Sequence, residues 1–188
     1  MFVVLEGIDG CGKSTQAKLL GDWLKKEGHE VFMTAEPSKN RIGRFLRDVL
    51  SGAEKLDPKT VALLFTADRY EHLANEIQPA LDEHKIVVCE RYYHSTIAYQ
   101  SAQGVSRKWL LELNSFVVEP DVTVLLDVKP SVGVSRTKTK EIFENEEFLD
   151  RVRDNYLKMD DGFVKLNGER PAEEVFREIQ DRITKAWL

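Results

Sequence analysis

Residues 7 to 15 read GIDGCGKST: a glycine, four residues, then Gly-Lys-Ser, set directly after the apolar run Phe2 to Leu5 and directly before a helical stretch. A loop of this kind joins a buried strand to a helix, and it commits the chain to an α/β fold. The glycines Gly7, Gly10 and Gly12 let the backbone aim successive N–H groups inward at phosphate oxygens. The helix N-terminus behind them adds partial positive charge. With Ile8, Asp9, Cys11 and Thr15 they form the expected nucleotide-binding loop. Lys13 is expected to reach the β- and γ-phosphates, and the Ser14 hydroxyl to ligate the Mg²⁺ that bridges them. The loop implies a nucleoside triphosphate without choosing a reaction, because GTPases, motor ATPases, helicases and small-molecule kinases share it.

Further short apolar runs rich in β-branched residues lie at Val31 to Met33, Ile86 to Cys89 and Val122 to Leu126, with a weaker one at Phe163 to Leu166. They read as strands buried on both faces. Between them, segments of helical spacing run over Ser14 to Glu27, Ile42 to Ser51, Pro58 to Glu83, Ser95 to Phe116, Pro130 to Met159 and Pro171 to Trp187. Strands alternating with helices predict a three-layer P-loop NTPase fold, with a five-stranded parallel sheet covered by helices on both faces. No repeat or linker-like tract divides the chain, so residues 1 to 188 are expected to form a single domain. The charged stretch Arg136 to Glu147 interrupts the helical pattern and reads either as a short lid or as a solvated face.

A net charge of −5 argues against a surface built to neutralise a nucleic acid polymer or an anionic membrane, so anion binding must be local. Cys11 and Cys89 have no metal-ligand spacing and read as reduced thiols. The five hydrophobic residues before Glu6 are too few for a signal-peptide core, and a cytoplasmic location is the resulting expectation.

The chain lacks the NKxD segment that reads guanine in GTPases. At the end of the third apolar run a carboxylate, Glu90, precedes an arginine, Arg91. An acid at the carboxyl end of a parallel strand sits where open α/β sheets bind ligands, and it could hold Mg²⁺ directly or through water. Arg41, Arg44, Arg47 and Arg69 lie on helical segments, where a lone arginine is usually a solvated ion-pair partner.

The phrases EGIDGCGKSTQ, AEP, LLFTADRYEH, ERYYHSTIAYQ and LLDVKPSVGVSR occur in this order, and over most of its length the chain resembles the thymidylate kinase family of P-loop nucleoside monophosphate kinases. LLFTADR and ERYYHSTIAYQ are the more diagnostic phrases. The resemblance implies ATP-dependent, Mg²⁺-assisted phosphorylation of dTMP to dTDP, and a homodimer. It implies a base-stacking role for Phe65, a residue the LLF context reads equally well as core. It further implies a donor to a base carbonyl in Arg69, and a 5′-phosphate clamp in Arg47 and Arg91. Ser95, Thr96 and Gln100 would bond the polar edge of the base, and Tyr99 would close on the sugar. Asp9 would lie near the acceptor sugar and phosphate, and Glu36 would support Arg91 or Mg²⁺. Ser14 and Glu90 make up the implied metal site. Asp9, Lys13, Arg91 and Arg136 make up the implied catalytic set.

Some family members carry an arginine in the P-loop after the aspartate, whereas others place glycine there and supply the basic group from a lid. Gly10 puts this chain in the second group. Arg136, Lys138 and Lys140 then fall at the lid positions, Arg136 being the first choice, although two of the three are point-charge lysines in place of planar forks. The loop AEPSKN, where many relatives have REPGG, lacks an arginine and two glycines, and Arg41 or Lys39 could compensate. Two other readings stay open. One is a kinase of the same fold acting on another nucleoside monophosphate or a deoxynucleoside, and the other is an ATP-binding regulatory protein without transfer activity.

Overall fold

The fold is described from a computed structural model, over residues 1 to 137, 145 to 159 and 162 to 187. The chain runs β1 (Phe2–Glu6), α1 (Lys13–Lys26), β2 (Val31–Ala35), α2 (Arg41–Leu50) and α3 (Pro58–His72). A π-helical turn (Leu73–Ile77) and the short α4 (Gln78–Asp82) lead into β3 (Ile86–Glu90). α5 (Tyr93–Ala102), α6 (Arg107–Leu113), β4 (Val122–Asp127), α7 (Pro130–Arg136), α8 (Glu146–Leu157), β5 (Val164–Asn167) and α9 (Ala172–Trp187) complete it.

All strand pairs are parallel, in the order β2-β3-β1-β4-β5. The chain leaves β1 toward β2 and β3 on one side and returns to β4 and β5 on the other. The carboxyl end of β1 is therefore the switch point, the place where such sheets open a ligand crevice. Register sets Leu5 beside both Glu90 and Val124, so the residues after β1 and β3 emerge side by side.

The central strands β1, β3 and β4 are buried along almost their whole length, as continuous apolar runs demand. The edge strands differ from expectation. β2 is half-buried, with Met33 36% exposed, and β5 buries only Leu166, because each has a neighbour on one side only. A short apolar run does not reveal how many sides are covered.

Three predicted helices are broken. Pro79 has no N–H to give, and the helical run over 58 to 82 widens into the π turn just before it. Residues 93 to 113 divide at Gly104, in the left-handed region at φ 90°, after which the Ser106 hydroxyl accepts from the Trp109 N–H to start α6. α7 ends at Arg136, and α8 begins with Asn145 accepting from the Phe148 N–H, two glutamates completing its first turn. Most of the predicted lid, with Lys138 and Lys140, lies outside the described residues.

α8 is anchored at three points. Arg153 makes a two-pronged pair with Asp127 at 2.6 and 2.9 Å, Asn155 donates to the Ala98 carbonyl, and Tyr156 donates to Glu6. Its sequence shows only an amphipathic stripe, and these contacts fix it against the ends of β1, β4 and α5.

Candidate active site

Gly12 caps α1 in the left-handed region at φ 103°, and a Cβ added there would meet nothing within 4 Å, so the loop is open on its ligand side. No acid lies in the first turn of α1 to oppose an incoming anion. The Lys13 ammonium is folded over the loop, donating to the Gly7 and Ile8 carbonyls at 3.0 and 2.8 Å. The Ser14 hydroxyl donates to Glu90 at 2.6 Å, which joins the two residues expected at the metal. A hydroxyl and a carboxylate are the hard oxygen donors Mg²⁺ takes, and one or two protein oxygens beside phosphate oxygens are its usual share. Among the described residues no group of three or more His, Cys, Asp or Glu forms another candidate metal centre.

Gly10 is the second glycine with a structural reason. A Cβ there would fall 2.1 Å from the Gly133 carbonyl oxygen in α7, at a φ of 74°. The loop has no room for a side chain at this position.

On one side of the loop lies a cleft of about 520 Å³, walled by Cys11, Gly12, Thr15 and Gln16 and by residues 168 to 172 after β5. Arg136 is part of this wall, donating to the Gly168 carbonyl at 2.9 Å. It therefore faces this cleft, and it does not line the pocket on the other side of the loop. Gln16, buried, pins the far wall by donating to the Ala172 carbonyl at 2.9 Å. Sequence reasoning missed Gln16 and the 168–172 turn. Their signal, NGERPAEE directly after a weak strand, marks an exit from the sheet and nothing more.

On the other side lies a pocket of about 190 Å³. Every residue expected to bind the acceptor lines it: Asp9, Glu36, Arg47, Phe65, Arg69, Arg91, Ser95, Thr96, Tyr99 and Gln100. Lys39 and Arg41 do not. Ser38, in the unusual AEPSKN loop, is locked by Asp68, which accepts from its N–H at 2.7 Å and its hydroxyl at 2.5 Å. Arg47 reaches the pocket from α2 and donates to the Pro37 carbonyl. Phe65 packs on the core and also lines the pocket.

At the deep end Arg69 is buried, with its Nε and Nη2 on Glu36 at 2.8 and 2.7 Å. Its Nη1 donates to Asn114 at 2.6 Å and its Nη2 to Thr96 at 3.0 Å. Glu36 is thus the partner of Arg69 and His72, not of Arg91, because β2 delivers it beside α3. One N–H of Nη1 is left without a partner among the described residues. The buried Gln100 donates to Gln103, while its Oε1 has no protein partner. Asn114 also escaped sequence reasoning, for it lies beyond the diagnostic phrases and bears no charge.

At the mouth Arg91, in the left-handed region at φ 66°, pairs with Asp9 and donates to the Gly7 carbonyl and the Ser95 hydroxyl, both at 3.1 Å. Tyr99 donates to the other Asp9 oxygen at 3.0 Å. Burial alone would raise the Asp9 carboxyl, but the charges of Arg91 and Lys13 and the hydrogen bonds from Tyr99 and Arg91 outweigh it and hold the pKa at about 2. Burial raises the Tyr99 hydroxyl well above its ordinary value, keeping it a donor. Ser95 lines the pocket while its hydroxyl is engaged beneath Arg91 by Glu6 and Tyr156.

A cleft of about 520 Å³ and a pocket lined by Arg47, Arg69 and Arg91 thus flank one loop. The thymidylate kinase family model matches residues 5 to 179. Among curated relatives, a probable thymidylate kinase of Pyrococcus abyssi is 42% identical over 190 residues, covering 95% of this chain and 93% of the relative. One from Methanocaldococcus jannaschii is 42% identical over 182 residues, with 95% and 93% covered. One from Pyrobaculum calidifontis is 42% identical over 191 residues, with 99% and 97% covered. With a family match over nearly the whole chain and relatives alike from end to end, the chain belongs to the thymidylate kinase family.

Proposed function

We propose that the protein transfers the γ-phosphoryl group of ATP to dTMP, yielding ADP and dTDP. The observation that carries this reading is the convergence of the acceptor residues on one pocket beside the P-loop. A thymine ring offers an imide N–H and flanking carbonyls. The unpartnered Gln100 Oε1 suits the first, and the spare Arg69 N–H suits one of the second. Cytosine, with no imide proton, would leave Gln100 unsatisfied, a loss of about 1 to 3 kcal/mol for a buried acceptor.

Arg91 and Arg47 orient and neutralise the acceptor phosphate, and Lys13 neutralises the donor. Asp9 stays ionised, so its role is to hold Arg91 and Tyr99 in place while the phosphate dianion attacks with no proton to give up. Ser14 and Glu90 would hold Mg²⁺, which would supply charge neutralisation to the donor phosphates. Arg136, with Lys138 or Lys140, would close over the donor.

A homodimer and a cytoplasmic setting belong to the same proposal. Phe45 on α2, Leu63 and Tyr70 on α3 and Leu111 on α6 are exposed apolar side chains on helices that pack side by side, a face suited to a second copy. Both cysteines are free, and no helix among the described residues is long and apolar enough to cross a membrane. The test of function is an ADP-release assay across dTMP, dUMP, UMP, dCMP and thymidine. Turnover with dTMP exceeding dCMP by at least tenfold is expected, and a preference for a nucleoside or for UMP would replace this reading with another kinase.

A further inference from the structure

Glu6, the last residue of β1, is fully buried, and nothing in the reaction described above uses it. A carboxylate sealed from water costs several kcal/mol unless donors surround it, so an apolar residue would close the strand more cheaply. Burial pushes its pKa up, and among the described residues four hydrogen bonds, in each of which it accepts, act against that shift. Oε1 accepts from the Tyr92 and Ser95 N–H groups at 2.8 and 3.2 Å. Oε2 accepts from the Ser95 and Tyr156 hydroxyls at 2.6 and 2.9 Å. His94 lies 3.8 Å away, but burial and then the Arg69 charge lower its pKa to about 3, so it brings no charge.

These donors surround Arg91. The turn that presents Arg91 is in the left-handed region, which disfavours a residue with a Cβ by roughly 1 to 2 kcal/mol. Two consecutive N–H groups hold it there: that of Arg91 on the Leu5 carbonyl at 2.9 Å and that of Tyr92 on Glu6. The Ser95 hydroxyl, fixed as a donor to Glu6, presents its lone pair to Arg91 Nη1. We propose that Glu6 is the positioning residue of the acceptor-phosphate clamp, holding the Arg91 turn by its first oxygen and, through Ser95, the direction of the Arg91 guanidinium by its second. It also supplies the cap that α5 lacks, since Tyr92 offers no side-chain oxygen to that helix end.

The inference rests on the acceptor reading, and steady-state kinetics of wild type, Glu6→Gln, Ser95→Ala and the double variant with dTMP and ATP separate the two. Gln keeps an oxygen for the two N–H groups and replaces the other with a donor, so the fold is retained while the Ser95 hydroxyl is no longer held as a donor. Glu6→Gln is expected to lower kcat/KM for dTMP about 10- to 100-fold, the scale of an ångström-sized misplacement, with KM for ATP and the melting temperature little changed. Its further effect in the Ser95→Ala background should fall below threefold, since both act along one path. Unchanged acceptor kinetics in Glu6→Gln, equal losses toward both substrates, or multiplying effects in the double variant overturn the inference. If Glu6→Gln does not fold, Ser95→Ala alone must still show the acceptor-selective loss, and acceptor kinetics like wild type overturn the inference. A wild type that forms no dTDP defeats the functional reading itself.

Discussion

Asp9 illustrates how one side chain is set by its neighbours. Its folded pKa, near 2, lies below the ordinary 3.8. Its contribution to stability is therefore fully present above about pH 4 and is lost as the pH falls toward 2. The acid limb of kcat/KM for dTMP should accordingly show no ionisation of Asp9 between pH 4 and 6, and Asp9→Asn should abolish the acid-side stability increment in a melting series. An Asp9-dependent limb near pH 5 would contradict this charge balance. Gln100→Leu, which removes the buried acceptor, is expected to raise KM for dTMP roughly tenfold or more and to shrink the preference over dCMP, read in the acceptor panel. Much at this scale was legible beforehand: each acceptor residue named from the phrases lines the pocket. The partners were not. The pairing of Glu36 with Arg69, and the engagement of Ser95 under Arg91, depend on strand register and helix packing that no phrase encodes.

Among the elements, the P-loop and α7 are coupled through the contact of Gly10 with Gly133. Gly10→Ala should lower the melting temperature by several degrees and reduce affinity for ATP, because the added methyl meets backbone in a left-handed turn. A variant as stable and active as wild type would show that the contact yields. Arg136, which the family resemblance places in the catalytic set, ends α7 in the wall of the cleft of about 520 Å³. Its seat predicts that Arg136→Ala raises KM for ATP about tenfold and leaves KM for dTMP in place. A fall in kcat with both KM values unchanged would assign it to the transferring group. The alternation of strands and helices was readable from periodicity, whereas the breaks were not. Pro79 and Gly104 look tolerable within long helical patterns, and only packing decides whether the helix bends, widens or restarts there.

For the molecule as a whole, strand order brings the ends of β1 and β3 together, and that adjacency sets a cleft and an arginine-lined pocket on either side of a single glycine loop, the sites proposed for donor and acceptor. Phe45, Leu63, Tyr70 and Leu111 line neither site. Tyr70→Asp combined with Leu63→Asp should convert a dimer to a monomer in light scattering coupled to gel filtration, and a wild type that is already monomeric would remove the dimer from the proposal. The central claim concerns transfer between two nucleotides, and phosphorus NMR of the protein with Mg-ATP and dTMP reads it most directly. Resonances of ADP and dTDP growing in equal amounts are the expected result. ATP left intact, or consumed with inorganic phosphate as the product in place of dTDP, would contradict it.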